Sequence, residues 1–89
     1  MKESPLRSMV EGKRFFAGNG DVYGNMEELA QGLARMDLAT FTSHVTFEKN
    51  DFASWLRECF GEIDLSRAIG ASKSPHSMVL KLKRRISLR

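Results

Sequence analysis

The sequence predicts a mainly α protein: a small bundle of four to five short helices, preceded by a short β-hairpin or two extended segments. Three observations carry that reading. Apolar residues recur at helical spacing in successive segments from Met26 onward. Residues able to cap a helix stand at the head of each segment, and glycines stand where two of them should stop. The chain has 89 residues, so one domain is the default. A domain of this size buries only about 60–65% of its unfolded surface. Its core is therefore thin, with little room for a deep enclosed pocket as well. Hydrophobic residues make up 42% and charged residues 28%, an ordinary globular composition.

Residues 1–12 are polar, hold Pro5 and Gly12, and lack a sustained period, so they read as a flexible N-terminal arm. A helical domain is expected over 13–70, followed by a linker and basic segment over 71–89. Phe15-Phe16 precede Gly18-Asn19-Gly20-Asp21, a strong turn cluster, and Val22-Tyr23 follow it. The competing phosphate-loop reading lacks a G-K-[ST] continuation and a preceding long apolar strand. Asn25 with Glu28 three residues on marks a helix start. Met26, Leu29, Ala30 and Leu33 form its apolar face, and the helix should end near Arg35 or Met36. Gly32 lowers helix stability by about 1 kcal/mol relative to alanine, which suggests a place where another element packs closely. Asp37 can cap a second helix carrying Leu38, Phe41 and Val45 on one side, with His44 beside them.

A third helix starts at Asn50 or Asp51. Phe52, Trp55, Leu56, Cys59 and Phe60 make the cleanest amphipathic face in the chain, and Gly61 suits a left-handed stop. Leu65, Ala68 and Ile69 mark a fourth short helix before Gly70. "ASKSPHS" is a linker by composition. Residues 78–88 alternate as a half-buried strand would, yet Ser74-Pro75 is a good helix start and Met78, Val79, Leu82 and Ile86 make a helical stripe. The segment is helix or strand. Helix is favoured, because a long lone strand needs a partner.

Charge is unevenly placed. Lys73, Lys81, Lys83, Arg84, Arg85 and Arg89 give the last segment +6 with no acid, so a net +3 leaves the first seventy residues at −3. Lys81, Lys83, Arg84, Arg85 and Arg89 are therefore the candidate contacts to an anionic partner: nucleic acid, through phosphate neutralisation, or a membrane surface. The bland alternative is a solvated basic face whose apolar side packs on the body or on a second copy. On that view Leu82 and Ile86 are buried between copies, and charge substitutions at Lys81 or Lys83 change little. No RNA-binding aromatics, recognition helix or zinc-finger spacing supports nucleic acid.

The stretch "HVTFEKNDFASWL" over 44–56 is the densest in chemistry-bearing residues. His44 oriented by Asp51 or Glu48 could act as a general base. No nucleophile stands in a sharp turn, and His76 is remote. The same residues serve as structure: Asn50 and Asp51 as caps, Phe47, Phe52 and Trp55 as core, and a protonated His44 at a helix C-terminus, bonded across the joint to Asn50 or Asp51. No catalytic, metal or cofactor residues are expected. Cys59, the single cysteine, cannot form an internal disulfide and lies on an apolar helix face, so a reducing, cytoplasmic setting is the natural expectation. The first residues lack the apolar core of a secretory signal, and no apolar run approaches the roughly 18–20 residues that span a bilayer.

Residues 15–69 resemble a family of small uncharacterised prokaryotic helical domains. The likeness lies in the aromatic pair Phe15-Phe16, the "MEELAQGLARM" helix, "TFTSHV", and "EKNDFASWLRECFGEIDLSRAI" with its Asn-Asp-Phe-x-x-Trp signature. It implies a fold and a habit of occurring alone or appended to other modules, and brings no catalytic residues with it. The expected function is a non-enzymatic interaction or regulatory module that binds protein, its own copy included. A nucleic-acid-binding accessory domain using the basic segment is the alternative.

Overall fold

The structure, a computed structural model, describes residues 14–88. The arm over 1–12, Lys13 and Arg89 lie outside the described residues. The chain forms a two-residue hairpin, β1 (Phe15–Phe16) and β2 (Val22–Tyr23). Five helices follow: α1 (Met26–Arg35), α2 (Leu38–His44), α3 (Asp51–Phe60), α4 (Ile63–Gly70) and α5 (Pro75–Ser87). The mainly α class holds, and the segment after Ser74 is helix.

The hairpin pairs Phe15 with Tyr23 and Phe16 with Val22, antiparallel. Asn19 Oδ1 accepts from the Asp21 amide at 2.9 Å, and Gly20 takes φ 97°, a left-handed value that favours glycine. Alternation then decides the faces: Phe15 and Tyr23 are buried, while Phe16 and Val22 point to solvent.

The caps expected from the sequence close their helices. Asn25 Oδ1 accepts from the Glu28 amide at 2.8 Å, and Glu28 Oε1 accepts from the Gly24 amide at 2.7 Å. Asn50 Oδ1 accepts from the Ala53 amide at 3.0 Å, which makes Asn50 the cap and Asp51 the first helical residue. Gly61 takes φ 65°, and its N–H and that of Glu62 bond the Arg57 and Leu56 carbonyls. Ser74 caps α5, with Pro75 at its first position. Asp37 departs from expectation. It stands at the cap position of α2 but receives the Thr40 hydroxyl instead of a backbone amide.

α1 packs along α5, α3 along α4, and α4 also meets α5. One continuous core results. Leu29, Phe52, Leu56, Ile69, Met78 and Leu82 are fully buried in it. At Gly32 the hairpin comes close against α1: a Cβ there would overlap the buried Tyr23 ring. Phe15 sits at the centre of an aromatic cluster, 4.9 Å from Phe52, 5.7 Å from Trp55 and 6.1 Å from Tyr23 between ring centroids.

Several expectations need correction. Leu82 belongs to the chain's own core and is not available as an interface between copies, and Ile86 packs half-buried against that core. The reason is that α1 offers α5 an apolar face inside the same chain. Leu38 is 71% exposed, because α2 turns only its Phe41 side inward. Phe60 lies at the rim, edge-on to Trp55 at 5.0 Å. Cys59, in keeping with its place on the apolar face of α3, packs half-buried against the core.

Candidate functional site

The joint between α2 and α3 brings together most of the residues the sequence singled out. Val45 and Asn50 face each other across an isolated antiparallel bridge, and the Thr46 amide donates to the Lys49 carbonyl at 2.8 Å. Thr46 Oγ1 accepts from the amides of Glu48 and Lys49, each at 3.2 Å. These bonds close a tight turn over residues 46–49. Phe47 lies in this turn and is fully exposed, at 103% of its reference area. The expectation that Phe47 fills the core is thus overturned. The turn is too short to carry its side chain back between α2 and α3.

His44 ties the joint to the hairpin. Its Nδ1 lies 2.9 Å from Asp51 Oδ2, and its Nε2 accepts the Gly18 amide at 3.0 Å. A ring nitrogen that accepts an N–H carries no proton, which leaves Nδ1 as the donor to Asp51. The bond across the joint falls to Asp51, one of the two partners the sequence offers. Phe15 and Phe52 flank the imidazole at 5.0 and 5.5 Å between centroids. The pair resembles the acid–histidine half of a hydrolytic site. However, Nε2, the atom a general base would use, is already filled by a main-chain amide. Lys49 Nζ also reaches Asp51 Oδ2, at 3.0 Å. Burial pushes the Asp51 carboxyl up, but hydrogen bonds from His44 and Lys49 outweigh it and hold the group below its ordinary value.

Asn50 does two jobs. Besides its cap, its Nδ2 donates to the Ile69 carbonyl at 3.2 Å, binding the start of α3 to the end of α4. Phe52 and Trp55 are core residues, as their spacing predicts.

Beside the turn runs an open groove of about 550 Å³. Leu38 and Phe41 of α2 form one wall, the 45–50 turn another, and the connection from Gly70 to Pro75 the third. The exposed Leu38 and Phe47 make its rim apolar, while Glu48, Lys49 and Lys73 add charges of both signs.

The basic segment divides. Lys81 Nζ donates to the Ala68 carbonyl at 3.0 Å and to Ser72 Oγ at 2.7 Å, closing the C-terminus of α4. Arg85 forms a two-bond fork on Glu62, at 2.8 and 2.9 Å. Both cations are engaged within the chain, contrary to their assignment as contacts for an anionic partner and to the expectation that Lys81 is dispensable. Lys83 and Arg84 remain exposed on α5. Arg89 lies outside the described residues.

Sequence reasoning missed the Gly18 amide as a partner of His44, because nothing local links residues 26 positions apart. The exposure of Phe47 did leave a signal. It falls off the stripe of α2 and off that of α3, between the turn-forming side chains of Thr46 and Asn50. Among the described residues no group of three or more His, Cys, Asp or Glu is placed to hold a metal ion, and no helix is long and apolar enough to cross a membrane. No family model matches the chain, and neither a curated protein nor a solved structure matches it.

Proposed function

We propose that the protein is a non-enzymatic interaction module whose binding face is the joint between α2 and α3. One observation carries this reading: Phe47 stands wholly in solvent on a turn closed by its own hydrogen bonds, beside an open groove. Aromatic side chains that enter a partner's pocket supply a large share of binding energy. A turn already ordered before binding spares the entropy of ordering it then. The resemblance to a family carrying the Asn-Asp-Phe-x-x-Trp signature fits the same reading, since that signature spans the start of α3. A nucleic-acid accessory role is the second reading. Among the described tail candidates it rests on Lys83 and Arg84, and would show as binding that weakens steeply with salt.

The test places a photo-reactive phenylalanine analogue at position 47, with the same probe at exposed Glu58 as control. Irradiation should give polypeptide adducts from position 47 and none from position 58. Equal yields from both positions, or none from either, would refute the joint as a binding face.

A further inference from the structure

We propose that the surface docked on this groove is a second copy of the chain, joined about a twofold axis with each Phe47 seated in the other copy's groove. The inference rests on the reading of the joint as a binding face and names the partner. Its basis is that the face complements itself. An exposed aromatic knob and an open groove lie side by side, so a twofold operation brings each knob to the other's hole and the pairing closes after two copies. Leu38, Phe41 and Pro75 supply the apolar walls against which a ring can lie.

The charges repeat the pattern. Glu48 follows the knob on the turn, and Lys73 stands on the connection between α4 and α5. Both are exposed, and among the described residues neither side chain has an ion-pair or hydrogen-bond partner. In the twofold arrangement Glu48 of each copy meets Lys73 of the other, and two unpaired charges become two complementary pairs. A foreign partner would have to supply an acid, a base, a knob and a hole in the matching order; a second copy carries all four. Lys49, the other cation on the turn, is held by Asp51 and is not needed for the pairing.

Sedimentation of the full chain over a concentration series is the direct measurement. The expected result is a concentration-dependent dimer. Phe47→Ser should weaken it by about tenfold or more, the effect of losing a central aromatic anchor. Because Phe47 makes no part of the core, thermal unfolding of the variant should match the parent chain at a concentration where both are monomers, which separates loss of pairing from loss of folding. Glu48→Lys and Lys73→Glu should each weaken the dimer, and the double exchange should restore it. A chain that stays monomeric at every concentration, or a dimer indifferent to Phe47→Ser, overturns the proposal. So does failure of the double exchange to restore what the single exchanges lose. The cross-linked products tell the two levels apart. Adducts of twice the chain's mass support self-pairing. Adducts of other masses with a monomeric chain leave the binding face standing and remove the second copy as its partner. No adducts with a monomeric chain remove both.

Discussion

Asp51 occupies the first position of α3, and its carboxylate holds His44 and Lys49 together. Its folded value lies below the ordinary one near 3.8. The stabilisation this gives is fully present above the unfolded value and is lost as pH falls through the lower folded value. Denaturant midpoints should therefore drop as pH is lowered below about 4, and Asp51→Asn should flatten that dependence. An unchanged acid limb in the variant would show that the carboxylate does not carry it. At this scale the sequence displayed the caps clearly, because Asn25, Asn50 and Ser74 act on amides three residues away. It did not display the Gly18 amide as a partner of His44, because that amide lies in the distant hairpin turn. Nor did it display the second bond of Asn50, which depends on where α4 ends.

The helices were legible from their stripes. Met26, Leu29 and Leu33, and likewise Phe52 and Leu56, are buried where their spacing put them. Spacing fails at the ends of the short helix α2, where Leu38 lies in phase but beyond any surface that could cover it. Gly32 shows what a stripe can still reveal: a weak helix former on a buried face marked a close approach, and Tyr23 is what approaches. Alanine there would gain about 1 kcal/mol of helix propensity. Overpacking costs typically about 1–3 kcal/mol. The ring it would strike is stacked near Phe15 and bonded through its hydroxyl to Asp21, so it has little room to give. Gly32→Ala should be net destabilising in a urea titration. A more stable variant would place the Tyr23 ring elsewhere.

For the molecule as a whole, α5 completes the core. The sequence set residues 71–89 apart by composition and charge, and neither property reveals that α1 leaves an apolar face for them to cover. Met78, Val79 and Leu82 are buried, at roughly 1.5–3 kcal/mol each. Total stabilities of small domains are about 5–15 kcal/mol. A chain ending at Ser72 should therefore lose its cooperative unfolding transition by circular dichroism; retention of a sharp transition would show that the first four helices suffice. The pairing of α1 with α5 also bears on biosynthesis. Helix α1 waits for α5 before its apolar side is covered, and every contact between them closes a long loop. Until Leu82 has emerged from the ribosome, the nascent chain carries Leu29 and Leu33 uncovered, a surface that chaperones and proteases read as unfinished.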